Sequence, residues 1–370
     1  MSSTTAATTA PLRYSPTYEH PGPEESKTVA DINDQMRRIQ EKTWADGGKA
    51  IRSVHAKSHG LLVGELRILP DLPPELAQGL FARRGTLPVV MRLSTTPGDL
   101  LPDDVSTPRG MAIKVIGVEG TRLQGSEGDV TQDFVLVNGP AFVKPDAKSF
   151  AGSLKMLAAT TDKAPGAKQV LSAALRGLEK AVEAVGGHSA ALTAMGGHPE
   201  THPLGETYYS QVPILFGEYF GKICVRPASP GLQALHGEPV ELRNRPDGLR
   251  DAVAAYFEEQ GAEWELCVQL CTDVGEMPVE DASVVWDEAL SPYRPVARLV
   301  AGAQASWSDA RARSIDEGLA FSPWHGIAAH RPLGSVMRVR QHAYEAAQRF
   351  RAEKNQRALS EPKAIGDIGL

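Results

Sequence analysis

The chain has 370 residues, 42% hydrophobic and 23% charged, with 39 Lys+Arg against 45 Asp+Glu and a formal net charge of −6. That is the composition of a soluble globular protein with enough length for a sizeable core, and its mild acidity disfavours nucleic acid or an anionic membrane as partner. Three cysteines (Cys224, Cys267, Cys271) without a CxxC pair exclude a disulfide framework, and no run of about 18 apolar residues would span a membrane.

Residues 1–26, rich in Ser, Thr, Ala and Pro and lacking the basic and apolar regions of a signal peptide, are expected to be disordered or an extended arm. Together with the cysteine usage this sets a cytoplasmic expectation. Residues 27–370 are expected to form a single domain. Ile32, Met36 and Ile39 predict an amphipathic helix from Val29 to about Trp44. GLLVGELRI then alternates, with Leu62, Leu66 and Ile68 on one side and Glu65 and Arg67 on the other. PVVMRLST, GMAIKVIG and DFVLVN read as further strands between Gly, Pro and Asp clusters. Leu171, Leu175, Leu178, Val182 and Val185 fall at helical spacing and predict an inserted helix. Strand texture returns in YYSQVPILFGEYFGKICVRP and EWELCVQLCTD, where Trp264, Leu266, Val268 and Leu270 share a face. From about Ala301 the chain turns irregular and then helical. The fold class this predicts is α+β: an antiparallel β-barrel with inserted and appended helices.

The most informative chemistry lies near the C-terminus, in GSVMRVRQHAYEAAQRFRAEK. On a helix, Val339, Ala343, Ala346 and Phe350 form an apolar stripe, and Arg340, Tyr344 and Arg351 share the adjacent face. A phenol beside guanidinium groups suits a phenolate ligand to ferric haem, although such pairs also simply stack on helix surfaces. His198 with His202, and His55 with His59, stand at metal-ligand spacing but in Gly/Pro-containing or strand-like segments, which speaks against zinc. His325 and His330 read as packing groups or as supports behind the ligand helix, and Cys267 and Cys271 as outward or buried thiols and not ligands.

Other segments join that helix into a pattern. RSVHAKSHGLLVG resembles the haem catalase motif R-x-x-H-A-K-x-x-G-x-x-x-G at Arg52, His55, Ala56, Lys57, Gly60 and Gly64. MRLST resembles the family's R-F-S-T, and TPRGMAIKV its D-P-R-G-F-A-x-K-F. DFVLVNGPAFVKPDAKSF is similar to the segment with the distal Asn, and WELCVQLCTD and RPVARLV to later barrel strands. Arg340-x-x-x-Tyr344, with Arg351 at the expected offset, matches the ligand motif. The motifs occur in family order over roughly residues 29–352, and the short chain resembles the small, catalase-related peroxidase branch.

The resemblance implies haem b, with Tyr344 as iron ligand on the C-terminal helix and Arg340 as its charge partner. His55 would be the distal acid/base supported by Ser94. Arg52, Arg92 and Arg351 would meet propionates, Val54 would roof the haem and Phe150 would stack near it. Asn138 would be the distal amide; because the segment is one residue short before Pro140, another placement of the gap puts Val137 there. Such a site would cleave peroxide to water and an oxidised ferryl haem, His55 moving the proton. The implied substrates are hydrogen peroxide or organic hydroperoxides with a small organic electron donor, in a chain free to form a homo-oligomer.

Thr107 stands where catalases carry an Asp in the access channel, so peroxidatic activity is expected to exceed dismutation. Val54, where allene oxide synthase relatives carry Thr, weighs against a hydroperoxide isomerase or lyase. A non-catalytic haem-binding barrel is the other alternative, and it would have no need of His55.

Overall fold

The computed structural model describes residues 10–105, 107–160 and 198–370, so the helix predicted from Leu171 to Val185 lies outside them. Nine strands of the described residues form one antiparallel sheet. They are β1 (Ser58–Ile68), β2 (Thr86–Thr95), β3 (Arg109–Ile116), β4 (Thr131–Val137), β5 (Tyr208–Tyr209), β6 (Ile214–Phe216), β7 (Tyr219–Pro227), β8 (Ala262–Leu270) and β9 (Arg294–Ala301). The order is β5-β4-β3-β2-β1-β9-β8-β7-β6. Tyr209 pairs with Val137 on one side and Cys224 on the other, which closes eight strands into a barrel, while β6 hairpins onto β7. Closure removes the exposed edges that an open sheet of this size would have. The α+β barrel expected from the alternating runs is the observed architecture.

Alternation decides which side chains fill the barrel. Leu62, Leu66, Met91, Leu93, Met111, Ile113, Phe134, Leu136 and Trp264 point inward and form its core with Phe81 and Phe216. His330 is buried in that core, edge-on to Phe81, with Nε2 accepting from Leu80 N at 3.0 Å. The expectation of a packing role for it matches this position.

Among the described residues, four longer helices cover the barrel: α1 (Glu25–Gly47), α2 (Ala147–Thr160), α3 (Gly248–Glu259) and α4 (Ser335–Lys354). α1 begins just after Pro23, earlier than the apolar spacing alone indicates, and buries Thr28, Ile32, Ile39 and Thr43 along one stripe. That stripe meets Ala147 and Leu154 of α2 and Val339 and Ala343 of α4 in a second apolar cluster. Residues 10–24 run along the barrel. Leu12 N bonds Cys271 O at 2.8 Å, and Glu19 takes Arg331 at 2.8 Å and Arg338 at 2.9 Å.

The outer face of β3 and β4 carries a buried ionic cluster that ties down the C-terminal tail. Lys114, with a fully buried side chain, reaches Asp133 and Glu361, each at 2.8 Å. His325 bonds Asp129 at 2.8 Å and Glu361 at 3.1 Å. Burial works against the Lys114 charge, but the two carboxylates outweigh it and hold its pKa up; burial pushes Asp133 up to about 6. Removing one member of a buried pair strands the other, at a cost of about 3–5 kcal/mol. Lys114→Met should lose about that much in urea unfolding, and Asp133→Asn in the same chain should recover part of it. An unchanged midpoint would show that the cluster contributes nothing to stability.

Candidate functional site

Strand register assembles a polar surface on the outside of the barrel. Ser94 pairs with Gly110 and Gly110 with Val137, so these three positions share one face, and Arg92 shares it with Ala112 and Val135. Arg92 and Ser94 are only 2% and 4% exposed although they point away from the barrel core. Buried polar groups on an outer strand face demand partners.

His55 arrives at this face on the segment before β1 with φ of 54°. A left-handed non-glycine residue costs about 1–3 kcal/mol and persists only where its surroundings fix it. Here they do: His55 N bonds Thr96 O at 2.8 Å, and Arg92 Nη2 donates to His55 O at 2.8 Å and Ala56 O at 3.2 Å. The ring lies against Gly110, where an added Cβ would stand 2.6 Å from Cε1 and 2.7 Å from Nδ1. Glycine is therefore required at 110 for the imidazole to occupy its place. His55 Nδ1 and Ser94 Oγ are 3.1 Å apart. Burial, followed by the charges of Arg92, Arg340 and Arg52, pushes the His55 pKa down to about 3. The imidazole is thus neutral across the physiological range.

Three arginines converge beside it on Asp316, in a single π-helical turn, Ala312–Glu317. Such turns recur at functional sites. Arg52 donates to Asp316 Oδ1 at 3.1 Å and to its carbonyl at 2.6 Å, and Arg92 Nε bonds the same Oδ1. Arg351 Nη2 takes the Asp316 carbonyl at 2.7 Å, and Ser58 Oγ donates to Oδ2. Burial would raise the Asp316 pKa, but Arg92 and Arg52 outweigh it and hold it below the usual range. Burial and the neighbouring arginines lower Arg52, and burial then Arg92 bring Arg351 down to about 10. Three guanidiniums against one carboxylate leave two positive charges, a match for a dianion.

On α4, Arg340 Nη2 donates to Tyr344 Oη at 2.7 Å, with the guanidinium 5.3 Å from the phenol ring. The charge of Arg340 bears on His55, and Arg52 is within electrostatic reach of both Tyr344 and Arg351. The structure therefore gathers Arg52, His55, Arg92, Ser94, Arg340, Tyr344 and Arg351 into one region. Phe150 packs edge-on to Phe142 at 4.9 Å and against the α1–α2–α4 cluster containing Ala343. Val54 is half-buried beside His55.

Asn138 is turned to another task. Its Oδ1 accepts from Arg109 N at 2.7 Å, and its Nδ2 donates to His198 at 2.5 Å and to Glu206. Val137, the other placement of the gap, occupies the face of Gly110 and Ser94. Strand parity is the reason: adjacent residues point to opposite faces. His198 and His202 do not converge, since His202 Nδ1 instead accepts from Leu204 N at 3.2 Å. Among the described residues, no group of three or more His, Cys, Asp or Glu could hold a metal ion. Cys267 lies opposite Cys224 on β7, while Cys271 sits beyond the end of β8 in a separate apolar cluster. All three thiols are buried and free.

Sequence reasoning missed Asp316 and Glu206, and weighed His198 only as a metal ligand and not as a partner of Asn138. Asp316 lies in an irregular stretch whose periodicity marks nothing; only three unpartnered arginines could have prompted a search for its carboxylate.

No protein-family profile matches the chain, and no curated protein matches it in sequence. Solved structures do. The chain is similar to a fungal catalase, with TM-score 0.58 and 18% identity over 85% of this chain and 62% of that one. It is also similar to catalase A from Saccharomyces cerevisiae (TM-score 0.59, 17% identity, 89% of this chain and 66% of that one). A bacterial catalase gives TM-score 0.54 and 15% identity, over 84% of this chain and 59% of that one. The chain thus spans about three fifths to two thirds of the length of these catalases. No helix of the described residues is long and apolar enough to cross a membrane.

The buried histidines set the acid response. Burial leads in pushing His55 down to about 3 and His202 and His330 to about 4, and it also lowers His59 and His198. Between an unfolded value of about 6.5 and these folded values, the unfolded chain binds more protons, so stability falls as pH falls. Asp133, raised to about 6, opposes this, as do Asp103 and His325, which are also raised, against the five lowered histidines. Thermal midpoints should be flat near pH 7 and drop steadily from about pH 6.5 to 4; a flat profile through that window would refute the neutral-imidazole assignment. At this level of identity the comparisons establish one thing: the chain has the fold of the catalases.

Proposed function

We propose that the protein is a haem-dependent peroxidase of the small, catalase-related branch, reducing hydrogen peroxide or organic hydroperoxides at the expense of a small organic donor. One observation carries the reading: the Arg340–Tyr344 pair on α4 and the neutral, strained His55 on the barrel face meet in one region with the three-arginine cluster between β2 and α4. The donor set fits haem b. A phenol held by a guanidinium suits ferric iron, and the two uncompensated positive charges suit two propionates. When bound, haem would supply the iron and electrons for peroxide cleavage, with Tyr344 as ligand, Arg340 as its partner and Arg52, Arg92 and Arg351 toward the propionates.

The chain's own residues would manage the proton. The neutral imidazole of His55 would accept the peroxide proton and return it to the leaving oxygen, an exchange that an imidazolium could not begin. Ser94 would fix the ring through Nδ1, and Gly110 leaves it room. Val54 and Phe150 would supply apolar walls. Asn138 would reach the distal space only by releasing His198 and Glu206, so we assign the position opposite Gly110 to Val137. A distal face without an amide, with Thr107 in place of a channel carboxylate, would orient a second peroxide poorly. We infer from this that donor oxidation exceeds dismutation. The free, buried thiols suit a reducing cytoplasm.

Tyr344→Phe should keep the fold and lose most haem or change its absorption spectrum; full occupancy with an unchanged spectrum would sink the ligand assignment. His55→Ala should keep haem and lose about 10²–10⁴-fold in peroxide turnover. Equal turnover would reject the acid/base role while leaving the haem site intact.

Val137→Asn probes the distal face separately. It restores an amide on the His55 side and should raise oxygen release relative to donor oxidation. No change in that ratio would show that the amide position is elsewhere.

A further inference from the structure

We propose that the cavity where α1 and α4 both end is a binding site for a small multivalent anion, a di- or tricarboxylate or a phosphate ester. The cavity measures about 320 Å³ and is walled by Lys49, Arg351, Lys354 and Arg357, with Glu317 as its one carboxylate. That volume is at the lower end of small-molecule sites. Gly48 ends α1 with φ of 69° and turns the chain so that Lys49 lines the cavity.

Four cations crowded together need an anion. Glu317 answers part of the need, since it bonds Lys49 and lies 3.7 Å from Arg357. The two helix ends contribute about half a negative charge each. Arg351 also belongs to the Asp316 cluster; with its charge left there, roughly one positive charge remains in the cavity, and donors on all sides of it suit an anion with several oxygens. Arg351 makes the cavity more than a patch of surface lysines. Its side chain is only 5% exposed, and its guanidinium is anchored on the Asp316 carbonyl at 2.7 Å. A buried planar fork of this kind favours carboxylate and phosphate oxygens. Lys354 is held 3.9 Å over the Trp44 ring, which limits its freedom before any ligand arrives.

The cavity adjoins the proposed haem site through Arg351, so its test reads binding heats and not turnover, and the Lys49 and Arg357 variants distinguish it from binding at the Asp316 cluster. Calorimetric titration of the full chain with citrate, and separately with pyrophosphate, at constant ionic strength should give saturable binding with Kd at about 1 mM or below. Lys49→Ala/Arg357→Ala should weaken it about tenfold or more, and Lys354→Gln should weaken it less. Arg83→Gln, distant from the cavity, should leave it unchanged. Binding of citrate alone identifies a carboxylate ligand and of pyrophosphate alone a phosphate ligand. No saturable binding of either, or binding unaffected by both cavity variants, would overturn the proposal.

Discussion

Asp316 is the point on which the arrangement around it depends. Arg52, Arg92 and Arg351 come from the segment before β1, from β2 and from α4, and without a common anion they would repel in a space that burial has stripped of water. The single carboxylate and carbonyl of Asp316 let all three remain charged and close. They also tie α4 to the barrel wall. Arg92 then uses its remaining donors on the carbonyls of His55 and Ala56. The strained backbone at His55 is therefore held by the same guanidinium that Asp316 stabilises, and charge balance and backbone geometry are one construction.

The neutrality of His55 follows from the same cause. A carboxylate beside the imidazole would favour the imidazolium; here arginines surround it and burial adds to their effect. The cluster keeps a net positive charge because Asp316 answers only one of three guanidiniums. An anionic group brought to those arginines would reduce the repulsion among them and with it the pressure on His55. The proton affinity of His55 is thus linked to what the arginines hold.

Much of this was legible in the sequence, and the reasons differ by element. The barrel could be read because alternation has a period of two: Leu62, Leu66, Met91 and Ile113 face the core where the pattern puts them. The Arg340–Tyr344 pair could be read because helix geometry places i and i+4 together without tertiary information. His55 and Ser94 were legible only through the resemblance, since Ser58 pairing with Ser94 across β1 and β2 is a matter of register that no local spacing encodes. Asp316 was not legible at all. It sits in a π turn, and its partners are more than two hundred residues away for Arg52 and Arg92. The i, i+4 spacing of His198 and His202 misleads for the opposite reason, because the segment is not helical and the spacing has no geometric meaning there.

Parity also governs which residue shares the face that carries His55. β4 ends at Val137, and a pleated strand must send Val137 and Asn138 to opposite sides. Choosing between them from residue chemistry favours the amide; choosing from register favours the valine, because Gly110 pairs with Val137 and carries His55. The amide is not wasted. With Arg109, Glu206 and His198 it satisfies polar groups that the neighbouring loop buries. Moving Asn138 to the His55 face would leave the Arg109 backbone N–H without its acceptor, and a buried unpaired donor costs about 1–3 kcal/mol. An amide on the His55 face must therefore come from position 137, and the loop's polar network is what keeps position 138 out of it.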